Sequence, residues 1–272
     1  MSTGDKIKKG IIYFLLILLG AACMFPFLLM LVNATRSGSE IMSSFTLIPS
    51  THIKENWDTV FKYFNLFKGM WNSLIVAVPS TLLCAYFSAL TAYALAMYKF
   101  KGSKILFGAI LVFMMIPGQL GLIGFYNLCT KLHLVNSYIP LIIPAIASPG
   151  TVFFLRQYVM SVMPPSLLEA ARIDGSREWN TFNKIILPIM KPAVATQAIF
   201  QFIAQWNNLF TPTILLTTDS KKTLPMFVQL LSSNQFRTDY GVVYVGLFVT
   251  IIPLVVVYLV LSKYIVAGVA LG

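Results

Sequence analysis

Six stretches of this sequence run for the width of a bilayer without one Asp, Glu, Lys or Arg: 11–33, 69–97, 105–130, 132–155, 192–218 and 240–262. A helix needs about 20 predominantly apolar residues to cross the hydrocarbon core. Lipid cannot hydrogen-bond the backbone, so each run must be a helix, or a broken helix whose freed groups line a protein-enclosed path. Composition excludes a large soluble core. Of 272 residues, 57% are hydrophobic and 11% charged, whereas a soluble domain carries roughly a quarter charged residues. The expected fold is all-α: one integral membrane domain over 1–272 with six transmembrane helices.

The first run follows Lys6, Lys8 and Lys9, and Gly20-Ala21-Ala22-Cys23 has the look of a cleavage or lipidation site. The apolar run continues to Val32, too long for a signal-peptide core, so a retained helix bent at Pro26 is expected. The formal charge of +11 reads as orientation and not as nucleic-acid binding. With both ends inside, 12 of the 20 Lys and Arg fall in the inner segments 1–10, 98–104, 156–191 and 263–272. Lys99, Lys101 and Lys104 crowd the second of these, while 34–68 forms the first outer loop. Cys23, Cys84 and Cys129 have no paired spacing, and His52 and His133 are isolated, so neither a disulfide nor a metal site is expected. Pro117-Gly118 in the third run and Pro140, Pro144 and Pro149-Gly150 in the fourth are either packing kinks or ligand-lining breaks.

The loop 165–188 carries the most specific pattern. Ser166 and Glu169 have capping-box spacing, a short helix is expected to run to about Asp174, and Gly175 suits the left-handed position that closes it. Ser176 is expected to cap a second short helix ending at Pro188. Ala170 and Ala171 leave one side of the first helix thin enough to seat in another protein's groove, with Glu169 offering charge to a basic partner.

Glu169-Ala170-Ala171, then Gly175, then Ile185-Ile186-Leu187-Pro188 resembles the spaced cytoplasmic signature of permeases in binding-protein-dependent ATP-binding-cassette importers. Asp174, Trp179, Phe182 and Pro192 make it similar to the carbohydrate branch, nearest the second, shorter permease of maltose-type systems. Asn72-Ser73 and Trp206-Asn207 extend the likeness over nearly the whole chain. The resemblance implies a subunit of the bacterial cytoplasmic membrane with both termini cytoplasmic. It implies that 165–188 is a coupling loop docking on one of two separate ATPase subunits, through Glu169, Ala170, Ala171, Asp174, Gly175 and Pro188. A homologous second permease would complete the pore, and an extracytoplasmic sugar-binding protein would deliver substrate. The final residues, Val266 to Gly272, stand where relatives often carry a further tail with a basic residue, which puts any tail contact with the ATPases in doubt.

No G-x-x-x-x-G-K-[ST] occurs, so ATP hydrolysis is expected on partners, and neither a catalytic set nor a cofactor is implied. A secondary, ion-coupled transporter is the alternative. Such proteins place ionisable residues inside their spans, and the six runs contain none of Asp, Glu, Lys or Arg. In the fifth run, Gln197, Gln201, Gln205 and Asn208 fall within about 80° of one another at 100° per residue, with Trp206 opposite. Such a stripe is either interhelical glue or a polar wall along a sugar path.

Overall fold

The computed structural model describes residues 3–63, 65–233 and 239–269. Arg237, one of the outer cations, and residues 270–272 lie outside that set. Among the described residues every regular element is helical. Helix α1 (Thr3–Ala34) is followed by two short helices, α2 (Gly38–Ser43) and α3 (Ile53–Tyr63), and by α4 (Leu66–Met97). The third apolar run divides into α5 (Ser103–Met115) and α6 (Leu122–Lys131), the fourth into α7 (Ile139–Ile142) and α8 (Pro149–Val162). Next come α9 (Ser166–Ile173), α10 (Glu178–Thr181) and α11 (Leu187–Trp206). The chain continues through α12 (Phe210–Leu215), α13 (Leu224–Ser232) and α14 (Tyr240–Val269).

Five helical stretches are long and apolar enough to cross a membrane: Asp5–Ala34, Leu66–Met97, Ile139–Val162, Glu178–Trp206 and Tyr240–Ser262. Ser103–Met115 and Gly118–Lys131, bent by 90°, make a sixth if they form one span. Helix α1 runs unbroken through Pro26 and exposes Ile11, Phe14, Leu15 and Leu18. A helix apolar on every side has lipid as its solvent.

Two of the expected spans have moved. The fourth ends at Val162 and so takes in Arg156; the fifth starts at Glu178, includes Lys184 and Lys191, and ends at Trp206. Counting charge-free residues places a boundary at the first charge. Arg156 does not end its helix, because Nε donates to the Leu95 carbonyl (3.3 Å) and the guanidinium lies on the Phe107 ring (3.9 Å). The prolines of the fourth run act as initiators. Pro140 opens α7, Pro144 a 3₁₀ turn and Pro149 helix α8, positions where a missing N–H costs nothing.

The chain forms two compact units, Met1–Phe67 with Phe227–Ile252, and Lys68–Met226 with Pro253–Gly272. The first is organised around Arg36, which is buried and donates to the carbonyls of Glu40 (2.7 Å) and Ser44 (2.8 Å). Asn56, also buried, donates to the carbonyls of Ala34 and Arg36 at 2.9 Å each. Gly241 packs so closely there that a Cβ would lie 2.2 Å from the Arg36 oxygen. The second unit has a core where α4, α8, α9 and α11 meet: Ala92, Tyr93, Leu155, Val159, Leu168, Phe182, Ile186 and Met190. This core carries the 165–188 segment.

Candidate functional site

Helix α9 starts without the expected capping box. Pro165 takes the N-cap with helical φ and ψ, Leu167 and Leu168 donate to the carbonyls of Pro164 and Pro165, and Ser166 is already the first helical residue. The proline pair itself starts the helix, so the Ser166 hydroxyl does not cap it. The other end is as the sequence predicts. Gly175 has φ 71°. The Ser176 N–H reaches the Ala171 carbonyl (2.9 Å) and the Gly175 N–H that of Arg172 (3.0 Å), the paired closure that a left-handed residue permits.

Beyond the turn two further expectations fail. Arg177, not Ser176, is the N-cap of α10; the Ser176 hydroxyl instead accepts from Thr181 Oγ1 at 2.9 Å. Pro188 ends nothing. A π turn over Phe182–Ile186, in which Leu187 N–H reaches the Phe182 carbonyl, leads straight into α11, and Pro188 sits in the first turn of that helix. The wider turn delivers the chain to a position where a missing N–H is tolerated.

Helix α9 has two faces. Leu168 and Ala171, one turn apart, are buried, while Glu169, Ala170, Ile173 and Asp174 are exposed. Ala171 therefore packs against this chain's own core and is not part of a thin outward side. Its small side chain lets α9 lie close to the bundle. Ile173 is 87% exposed and Trp179, which meets Tyr86 edge-on, 62%, two large apolar side chains left mostly open to the surroundings.

A brace that the residue pattern did not reveal fixes this arrangement. Arg172 Nη2 pairs with Glu178 Oε1 at 3.1 Å across the Gly175 turn. The other Glu178 oxygen accepts from Tyr98 and, at 3.4 Å, from Tyr93; the two phenols are 2.7 Å apart. Arg172 also lies 5.5 Å from the centre of the Tyr98 ring. Burial, with the bond to Glu178, pushes the Tyr98 hydroxyl above its ordinary value of 10.0, so it stays a donor. Nearby, Tyr86 donates to Asn183 Oδ1 (3.1 Å) and sets its ring edge-on to Phe182 and Trp179. Tyrosines at the end of an apolar run read as ordinary membrane-interface aromatics. The only available hint was an acid in the first turn of a helix with basic residues on both sides.

The amide stripe is divided. Gln197, Gln201 and Gln205 are half-buried on α11, but the helix ends at Trp206 and Asn208 lies beyond it. Asn208 donates its N–H to the Gln205 carbonyl (3.3 Å) and accepts from Thr211 N–H (3.4 Å). Trp206 points away into packing and stacks on Phe202. Gln205, Asn208 and Thr211 line a cavity of ≈ 330 Å³ whose other walls include Gly118, Phe125, Pro140 and Pro144. Gln197 and Gln201 are not among its lining residues. The cavity lies where the third run turns by 90° and where the fourth is broken by its prolines. Gly118, Pro140 and Pro144 thus border open space, while Leu141 beside them is buried in a core with Cys129 and Leu215, and Pro149 and Gly150 do not line the cavity. Thr211 was not foreseen, because the sequence pattern places it deep inside a continuous fifth span.

The family described as binding-protein-dependent transport system inner membrane component matches residues 82–270. The arabinooligosaccharides transport system permease protein AraQ of Halalkalibacterium halodurans is 36% identical over 257 residues, covering 92% of this chain and 90% of that protein. The diacetylchitobiose uptake system permease protein NgcG of Streptomyces coelicolor is 31% identical over 274 residues, covering 100% and 90%. Among solved structures, a bacterial ABC transporter involved in the import of the acidic polysaccharide alginate shares the fold, with a TM-score of 0.81 at 22% identity over 97% of this chain and 98% of that one.

Proposed function

Because this chain belongs to the family of binding-protein-dependent transport system inner membrane components, we propose that it forms, with a homologous second permease, the path of a sugar or oligosaccharide through the membrane. It is a multi-pass membrane component of an ATP-binding-cassette importer and not an enzyme. The spans are not free of charge, so that criterion does not separate ATP-driven from ion-coupled transport. Family membership does, and nothing favours the ion-coupled alternative. In this reading 1–272 acts as one permease domain with both termini cytoplasmic. The 165–188 segment is the coupling loop on which one of two ATPase subunits docks, and an extracytoplasmic sugar-binding protein delivers substrate from the opposite face. Glu169, Ala170 and Asp174, with Ile173 and Trp179, form the contact. Gly175 shapes it, and Ala171 and Pro188 support it from behind.

The cavity at the break of the third run carries the sugar reading. Two amides and a hydroxyl, from Gln205, Asn208 and Thr211, face a space walled by Phe125 and prolines. Amides both donate to and accept from hydroxyls, and few polar groups among apolar walls is the usual make-up of a small-molecule site. The names of AraQ and NgcG, as transport proteins for arabinooligosaccharides and diacetylchitobiose, support the same substrate class. Gln197 and Gln201 extend the wall along α11. The test is uptake of labelled oligosaccharide by the reconstituted complex. Gln205→Leu is expected to lower uptake at least tenfold, with assembly and ATPase activity retained; Gln201→Leu is expected to have a smaller effect. Equal effects of both, tracking the amount of assembled complex, would reduce the amides to packing.

A further inference from the structure

Between Asp58 and Glu169 the sequence has no acidic residue, yet it carries Lys62, Lys68, Lys99, Lys101, Lys104, Lys131 and Arg156. The six lysines are exposed, in a loop or in the terminal turns of helices. Arg156 is different: it is half-buried on α8, inside the span Ile139–Val162. Its Nε donates to the Leu95 carbonyl at 3.3 Å, and its guanidinium carbon lies 3.9 Å from the centre of the Phe107 ring, which stacks on Phe153. Among the described residues both Nη groups are left without a hydrogen-bond partner, and no carboxylate pairs with the guanidinium. Glu178 is held by Arg172 and two tyrosines. Helix α11, which also packs on α8, contributes only Lys191 as a charged residue.

The depth of this group is fixed by its partner. Leu95 lies two residues, about 3 Å of helical rise, before the end of α4, so Arg156 sits just beneath the loop 98–102. Lys104, exposed in the first turn of α5, is one turn from Phe107 on the same helix face. Phe154, Met160, Ile105 and Leu106 present exposed apolar surface at this level, as a lipid-facing wall does. We propose that the surface where α5 meets α8, around Arg156, is a binding site for the headgroup phosphate of an anionic phospholipid. Arg156 receives the phosphate oxygens through its two free Nη groups, the Phe107 ring and the Leu95 carbonyl hold the guanidinium in place, and Lys104 adds charge from above. A planar fork suits phosphate geometry. A basic pocket between spans at the membrane surface is the setting in which such headgroups are held.

The test uses the full permease complex, delipidated in detergent and titrated with phosphatidylglycerol, phosphatidylcholine or inorganic phosphate while native mass spectrometry counts bound lipid. Phosphatidylglycerol is expected to be retained in preference to phosphatidylcholine. Arg156→Gln and Lys104→Gln are each expected to weaken it about fivefold, the ~1 kcal/mol carried by one cation near a bilayer surface, leaving phosphatidylcholine unchanged. Equal retention of the two lipids by the unsubstituted complex, or an Arg156→Gln complex that retains phosphatidylglycerol as strongly as the unsubstituted one, overturns the proposal. Displacement by millimolar inorganic phosphate also overturns it, by making the ligand a soluble anion. If Arg156→Gln does not assemble, Lys104→Gln and a salt series decide, since a headgroup preference untouched by both is not electrostatic.

Discussion

His52 lies between two carboxylates in the loop that follows α1, 3.1 Å from Glu55 and 3.8 Å from Glu40. The hydrogen bond to Glu55, foremost, holds its imidazole above the ordinary value of 6.5. A raised value means that folding favours the protonated ring. The contribution is therefore complete below the unfolded value and is lost as pH rises through the raised folded one. Glu40 runs the other way. The Ser37 backbone N–H, chiefly, lowers its carboxyl below 4.5, so its contribution is present above that value and is lost as pH falls through the lowered one. Replacing His52 by Gln is expected to lower the melting temperature by a few degrees at about pH 5.5 and to leave it unchanged at about pH 9. An equal drop at both would show that the ring acts by packing alone. The expectation of an isolated histidine fails already at Glu55, three residues on; Glu40, twelve residues before, is brought near only by the fold of 34–56.

Helix α9 and the turn after it form the element on which coupling would depend. A Cβ placed on Gly175 meets nothing within 4 Å, so alanine there suffers only the left-handed backbone penalty, roughly 1–2 kcal/mol. Gly175→Ala is expected to leave membrane levels and permease pairing near normal while reducing ATPase co-purification several-fold. Asn, which tolerates this conformation better, should recover much of the loss. Normal docking in Gly175→Ala would remove the turn from the coupling role. Gly175 was legible in the sequence because its requirement is local and belongs to one residue. Ser166, Ser176 and Pro188 were misread for the converse reason. Each is a good local signal, but Pro164-Pro165, the Thr181 hydroxyl and the π turn over 182–186 compete for the same positions. The brace from Tyr93 and Tyr98 to Glu178 spans 80 residues or more, a separation across which periodicity carries no information.

At the scale of the whole molecule, the loops attached to the two ends of α4 bear on orientation. Near its start, Asn72 donates to the carbonyls of Ser220 and Lys222, at 3.0 and 2.8 Å, and Asn136 ties the same turn to the 132–138 connection through Thr218. Just past its end, Tyr98 bonds Glu178. Helix α4 has 32 residues, about 48 Å at 1.5 Å per residue, well over the ~30 Å hydrocarbon core. The 216–222 and 165–177 loops are thus held near opposite ends of a helix long enough to cross the membrane, which the proposed topology places on opposite faces. With single cysteines in a cysteine-free background, Ser220→Cys is expected to react with an impermeant thiol reagent in intact cells, and Lys101→Cys and Ser166→Cys to resist it until the membrane is opened. The reverse pattern would invert the proposed topology. Labelling of all three alike would contradict the placement of loops on two faces. Apolar run lengths predict six spans, of which five are long apolar helical stretches and the sixth is a pair bent by 90°. Which residues end each span was not legible, because a charge shielded by a ring and a carbonyl, as at Arg156, no longer marks a boundary.

The passage from Glu178 through the π turn to Trp206 sets an angular phase between the loop and the cavity. Each residue in an α-helix advances the azimuth by about 100°, so beyond the π turn the direction in which Gln205 faces is counted from Leu187 along α11. Adding or removing a single residue between positions 188 and 204 would leave the loop, its brace and its exposed face as they are, yet swing Gln205 out of the cavity. The π turn over Phe182–Ile186 is one residue wider than an α turn and absorbs that residue locally, so a deletion confined to it is expected to leave the facing of Gln205 nearly unchanged. Substitutions between 188 and 204 change chemistry one position at a time, whereas a change in the length of that stretch detunes the two ends of the molecule together.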